Sequence, residues 1–309
     1  MRLRPLTGAA IAALALSAIS VVAAQRGRPP RSFKVATWNI RSGMGVRGFT
    51  TTAWNSDTVN CTDRSKPVNA WGVGLPQKEL ERIKDDPAIV VMALQEAWNC
   101  GSPKNVNAVL QFKSPTTEQE GVALLARYGF AAPPRFELLD AKNHRWIEAG
   151  RVCLDASCAS TLQMFSLHLG GSDAEFLPQV EKVISIVDAG SAPRLFMGDL
   201  NLFKIDQWNP RVPCTSPDSP GRVSAIAAIE RAGFTDTWKA LNGSEGWTGM
   251  TSRKGCGSPN GGLFKRIDYI YTKGLKATAI SRFAQPAPGA DAPSDHAGLI
   301  AEFEWPDRK

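Results

Sequence analysis

Histidine is scarce in this chain. Three are present among 309 residues, His144, His168 and His296, and they lie far apart. The six cysteines include no Cys-x-x-Cys pair. Zinc centres are built from closely spaced ligands of these two kinds, so the pattern argues against one. Low-complexity stretches are missing, and beyond the first two dozen residues no apolar run approaches the roughly 20 residues of a membrane span. Acid is not in excess either. Lys and Arg number 36 against 29 Asp and Glu, for a formal charge of +7, which suits an anionic partner.

What is present begins with an address. Arg2 and Arg4 precede a small and apolar stretch from Ala9 to Val22, and Val22-Ala23-Ala24 has the small residues of a cleavage site. Residues 1–24 are therefore expected to be a signal peptide, and the protein to be secreted or periplasmic. Residues 25–32, with Arg26, Arg28, Arg31 and two prolines, read as a basic leader before one domain over 33–305. An apolar fraction of 43% and nine tryptophans supply a sizeable core for that domain.

An even number of cysteines in an exported chain predicts disulfides. Cys153 and Cys158 flank a short hairpin. Cys214 and Cys256 sit in Pro/Gly/Ser-rich loops, which leaves Cys61 for Cys100.

Strands are expected over 33–40, 89–94, 121–127, 151–154, 162–168, 194–197, 265–271 and 297–303, from alternation or short apolar runs. Helices are expected from Pro76 to Pro87, from about Leu177 onward, and from Pro220 to Ala232 behind Ser219. Ser172 and Glu175 have capping-box spacing, but Pro178 argues for the later start. Residues 42–74 form a long irregular insertion, and no linker divides the chain.

One design recurs: an apolar strand that ends in a polar side chain. Val35-Ala36-Thr37-Trp38 ends in Asn39, Val91-Met92-Ala93-Leu94 in Gln95-Glu96, Met164-Phe165-Ser166-Leu167 in His168, and Leu195-Phe196-Met197-Gly198 in Asp199. Strands that stop at one sheet edge would gather these groups into a single mouth. Arg266-Ile267-Asp268 and Ser294-Asp295-His296 add a carboxylate on a strand and an Asp-His pair. Phosphodiester cleavage needs charge neutralised on the phosphoryl oxygens, an activated water and a stabilised leaving oxygen. Glu96 is the best carboxylate for Mg²⁺ (or Mn²⁺), with Asn39 beside it and Asp295 as a second donor. Asp268 would orient His296 and raise its basicity. Asp199 and Asn201, two apart, would point the same way and hold a water and a phosphate oxygen.

Those motifs, in that order, resemble the endonuclease/exonuclease/phosphatase superfamily over nearly all of residues 33–304. The resemblance implies a four-layer α/β/β/α sandwich of two packed mixed β-sheets. It implies metal binding by Glu96 with Asn39, and catalytic roles for His168, Asp199, Asn201, Asp268, Asp295 and His296. The segment from Ser166 to Ala174 is similar to secreted pancreatic-type deoxyribonucleases and the nuclease subunit of cytolethal distending toxins. An exported Mg²⁺-dependent DNA endonuclease, monomeric, is the expectation. The alternative in the same fold is a sphingomyelinase-like lipid phosphodiesterase or a phosphoinositide phosphatase. An acid beside His168 is implied, with Glu120 as candidate, and a phosphate-binding arginine upstream, either Arg145 or Arg151.

Non-reducing peptide mapping of the mature protein is expected to find no free thiol and a Cys214–Cys256 bridge. Thiol labelling of native Cys214 would contradict that pairing.

Overall fold

The computed structural model describes residues 31–43, 75–113, 121–190, 193–209, 219–250, 263–285 and 292–305. Five strands form one sheet: β1 (Ser32–Asn39), β2 (Ile89–Gln95), β3 (Val122–Ala126), β12 (Lys276–Phe283) and β13 (Gly298–Glu304), in the order β12-β13-β1-β2-β3. Six form the other: β4 (Arg135–Asp140), β5 (Arg145–Cys153), β6 (Thr161–His168), β7 (Arg194–Asp199), β8 (Thr235–Asp236) and β11 (Asp268–Lys273), in the order β4-β5-β6-β7-β11-β8. A two-stranded ribbon, β9 (Gly249–Met250) and β10 (Leu263–Lys265), stands apart. Both large sheets are mixed, since β1–β2 and β6–β7 run parallel and their other pairs antiparallel.

Three apolar layers set the order of the sandwich. Helices α1 (Leu75–Lys84) and α2 (Pro103–Leu110) cover the first sheet through Leu80, Ile83, Val106 and Leu110 against Trp38, Met92 and Leu94. Helices α3 (Asp173–Val187) and α4 (Pro220–Arg231) cover the second, with Phe176, Val180 and Ile226 against Phe165, Phe196 and Tyr269. Between the sheets lie Val35, Val91, Ala93, Met164, Leu195, Met197, Ile270 and Leu299. This is the α/β/β/α arrangement the motifs implied. A short helix, α5 (Thr237–Asn242), closes the end near β12. No helix among the described residues is long and apolar enough to cross a membrane.

Several boundaries differ from expectation. Ser32, placed in the basic leader, is already paired with Glu304. Helix α3 starts at Asp173, not near Leu177. The Glu175 carboxylate accepts the Ser172 backbone N–H at 2.6 Å, and Pro178 falls early enough to forfeit one helix bond only. β5 begins at Arg145 and is six residues longer at its start than expected, because Arg145 and Trp146 alternate in an edge-like pattern that reads as loop. β4 and β12 were not anticipated; their half-exposed, charge-bearing faces give no apolar run. Residues 265–271 are two strands, β10 and β11, belonging to different sheets. The Cys153–Cys158 bridge is formed. Cys100 is also in a disulfide, while Cys61, Cys214, Cys256 and the signal peptide lie outside the described residues.

Period-2 alternation carries the inner layer toward one end of the sandwich, where it turns polar. Thr37, Gln95 and Ser166 follow Val35, Ala93 and Met164 on the same faces. Their side chains join across the sheets, Gln95 reaching both Thr37 and Ser166 at 3.3 Å, and Ser166 Oγ donating to the Leu94 carbonyl at 3.1 Å. Glu148, in register with Ser166, belongs to the same layer. Its carboxylate accepts the Leu124 N–H at 2.5 Å and so ties the edge strand β3 to the second sheet. Burial pushes the Glu148 carboxyl up to about 8, against the opposing pull of that hydrogen bond.

A carboxyl whose folded pKa exceeds its unfolded one stabilises most below the unfolded value and loses that contribution as pH rises through the folded one. Stability should therefore fall between about pH 4.5 and about pH 8 on account of Glu148. Glu148→Gln keeps an acceptor for Leu124 and should remove that slope, so its advantage in thermal midpoint over the parent grows from pH 5 to pH 8. Parallel pH profiles for the two proteins would contradict this.

Candidate active site

The next positions along the same inner faces are Asn39, His168, Asp199 and Asp268, so the strand alternation that builds the core also delivers the site. Register aligns them. His168 sits opposite Asp199 across β6–β7, and Asp199 opposite Asp268 across β7–β11. Gly198, at φ +148°, permits the close approach, since a Cβ there would strike the Leu167 carbonyl. Two residues just past strand ends bend back by adopting left-handed backbone, Glu96 at φ 50° and Asn201 at φ 51°. Such conformations are sparsely populated by residues other than glycine and cluster at functional sites.

Asp199, 1% exposed, is the hub. Its Oδ2 accepts from Asn39 Nδ2 at 3.1 Å and lies 3.4 Å from His168 Nε2 and 3.8 Å from His296 Nε2. Its Oδ1 accepts the Asn201 backbone N–H at 2.9 Å. Asn39 also donates to Glu96 Oε1 at 3.1 Å, which links the two carboxylates through one amide. The segment carrying Asp295 and His296 is clipped to β1. Ser294 Oγ donates to the Asn39 carbonyl at 2.7 Å, and Trp38 Nε1 donates to the His296 carbonyl at 3.1 Å. Thr248 Oγ1 accepts the Ile267 and Asp268 backbone N–H groups, which fixes the start of β11.

The two histidines are held in opposite states. His296 Nδ1 faces Asp268 Oδ2 at 2.9 Å. Burial disfavours its charge, but the carboxylates of Asp268, Asp199 and Asp295 and the Asp268 hydrogen bond prevail and raise it to about 10. For His168, burial dominates and the Asp199 charge only partly offsets it, with Arg145 and His296 adding to the fall, to about 4. Arg145 Nη1 lies 3.4 Å from His168 Nδ1. A guanidinium has donors only, which favours an accepting Nδ1, while Nε2 has both the Asp199 carboxylate and the Asn201 amide nitrogen at 3.4 Å. Among the described residues the carboxylate beside His168 is Asp199, on its Nε2 side, and Arg145 lies on its Nδ1 side; Glu120, the candidate acid, lies outside them.

Of the two arginines left open by the sequence, Arg145 is the one at the site. Arg151 is in register with Gln163, five positions back along β6 from His168, and its Nε donates to Thr161. At about 3.3 Å per residue it stands roughly 16 Å away. The eight other predicted residues converge, and His144, expected to be exposed and outside the site, is exposed. Asp268 does not pair with Arg266, whose guanidinium binds Asp236 at 2.7 Å.

Three residues near the mouth escaped sequence reasoning. Arg41 follows Asn39 and its Nε lies 3.7 Å from Asp295. Trp98, 41% exposed, comes two residues after Glu96, and its indole lies over Gly121. Lys265 interacts electrostatically with Asp199, Asp268 and Asp295. None has a distinctive signal in one sequence, because their proximity follows from chain segments far apart in number.

The profile of the Endonuclease/Exonuclease/phosphatase family matches residues 36–296. The chain belongs to that family. Its members are metal-dependent phosphoric ester hydrolases. Solved structures agree on the fold. D. rerio TDP2 complexed with single strand DNA product is similar at a TM-score of 0.59 and 16% identity, over 89% of this chain and 100% of that one. An endonuclease/exonuclease/phosphatase from Bacteroides vulgatus gives 0.57 and 14%, over 90% and 100%. One from Beutenbergia cavernae gives 0.54 and 17%, over 89% and 72%. No curated protein matches the sequence.

The residues present fit the family's divalent metal. Burial and the neighbouring charges of Asp295 and Asp199 raise the Glu96 carboxyl despite its hydrogen bond from Asn39, a crowding that a cation relieves. Ligand atoms of Asp199, Asp268 and His296 lie within 4.8 Å of one another, and Asp268 Oδ1 is buried without a hydrogen-bond partner. Oxygen donors in this number suit a hard cation.

Residues that act as one unit are strongly non-additive. His296→Ala should lower single-turnover cleavage by about 10²- to 10⁴-fold, Asp268→Asn by nearly as much, and the double variant by little more. Losses that multiply in the double variant would show the two acting independently.

Proposed function

We propose that this protein is an exported, Mg²⁺-dependent phosphodiesterase that cleaves nucleic acid, with DNA as its substrate. The reading is carried by one observation: two buried imidazoles, one backed by Asp268 and the other by Arg145, face the same buried carboxylate, Asp199. The charged ring of His296, oriented by Asp268, has a proton to give to a phosphoryl or leaving oxygen. His168 and Asn201 present donors on the other side of Asp199, and Asp199 is placed to orient an attacking water.

Glu96, with Asn39 and Asp295, would hold the metal, which when bound neutralises charge on the phosphoryl oxygens. Arg145, 3.4 Å from His168 Nδ1, orients that ring and adds positive potential beside the phosphate. The nucleic-acid preference rests on the basic chain and on Trp98, which offers an exposed aromatic face next to Glu96 of the kind on which bases stack. The single strand DNA bound by D. rerio TDP2 is in keeping with it. Export rests on the N-terminal sequence alone.

Purified mature protein is expected to nick plasmid DNA with Mg²⁺, to stop with chelator, and to leave sphingomyelin vesicles intact. Vesicle hydrolysis without DNA cleavage would replace the nuclease reading by the lipid one. Glu96→Gln should abolish turnover while leaving thermal stability near that of the parent, because a neutral amide cannot replace the carboxylate's charge on the metal. Near-normal activity in this variant at ordinary Mg²⁺ would remove Glu96 from the site.

A further inference from the structure

Lys265 ends β10, three residues before Asp268. It pairs laterally with Gly249 in the β9–β10 ribbon, and Gly249 forms a bridge with His296 on its other side. Lys265 and His296 thus flank one backbone position, roughly 10 Å apart at ordinary strand spacing. The lysine is half-buried. Its ammonium lies 5.4 Å from the ring centres of both Phe203 and Phe264.

That ammonium makes no hydrogen bond or ion pair among the described residues, although Asp199, Asp268 and Asp295 act on it through space. Five other lysines of the fold are paired. Lys34, Lys142, Lys239, Lys273 and Lys276 each meet a carboxylate within 3.2 Å. A desolvated charge is costly unless paired, and contact with two aromatic rings recovers only part of that cost. Of the carboxylates that act on Lys265, Asp199 holds Asn39 and Asn201, Asp268 holds His296 through Oδ2, and Asp295 faces Arg41; none reaches the ammonium. What would complete the lysine is an anion entering the mouth.

We propose that Lys265 is a phosphate-docking residue, its ammonium taking a non-bridging oxygen of the substrate's phosphodiester on the His296 side of the site. This assignment rests on the phosphodiesterase reading above. Phe203 and Phe264 flank the ammonium, so the charge is in place before substrate arrives. The bulk of the lysine stem is apolar and matches methionine in volume, which makes Lys265→Met the informative change.

The test is cleavage of a single-stranded oligonucleotide with Mg²⁺ at several KCl concentrations, for the parent, Lys265→Met and Lys265→Arg. The Met variant should raise KM about 10- to 100-fold with a smaller change in kcat. Its dependence of log(1/KM) on log salt should be shallower by about 0.7 to 1, the signature of one lost phosphate contact. Lys265→Arg should recover most of the KM and the slope. A Met variant with unchanged KM and slope would overturn the assignment, as would a loss confined to kcat with the slope intact. Failure of the parent itself to cut the oligonucleotide would instead overturn the substrate reading.

Discussion

Taking a carboxylate out of water between two sheets costs several kcal/mol unless hydrogen bonds and opposite charge replace what water supplied. Asp199 is in that position, and the rest of the site is arranged around meeting its need. Asn39 from the first sheet and the Asn201 backbone supply donors, His168 brings a neutral ring, and His296 brings a positive ring. Because these partners come from both sheets, the sandwich must close correctly for any of them to be satisfied. The site therefore also serves as a registration device for the polar end of the core.

Burial opposes charge on both rings, and the asymmetry between the histidines comes from how far neighbouring carboxylates offset it. Asp268 behind His296 favours charge, and Arg145 behind His168 opposes it. Three carboxylates outweigh burial at His296, whereas Asp199 alone does not at His168, so two chemically identical side chains are driven in opposite directions. That separation assigns one ring to proton donation and the other to hydrogen bonding without further machinery.

Much of this was legible before any coordinates. Apolar runs ending in Asn39, Glu96, His168 and Asp199 marked strands that stop together, and period-2 alternation made their last residues share one face. What stayed hidden depends on pairing between distant segments. Nothing near Arg145 in sequence says that β5 starts there and runs beside β6, so the choice between Arg145 and Arg151 stayed open. Lys265 is silent for the same reason, since its closeness to His296 depends on Gly249 lying between them. At the start of α3 the Ser172–Glu175 capping box prevails over the constraint of Pro178, a contest between two local signals that the sequence alone does not decide.

Opposed protonation of His168 and His296 about Asp199 is the claim on which the account turns, and NMR titration of the imidazole nitrogens in the folded protein tests it most directly. From pH 5 to pH 8 the account predicts a charged His296 and a neutral His168, neither changing state across the range. Two rings that titrate together near the ordinary histidine value of about 6.5 would contradict it.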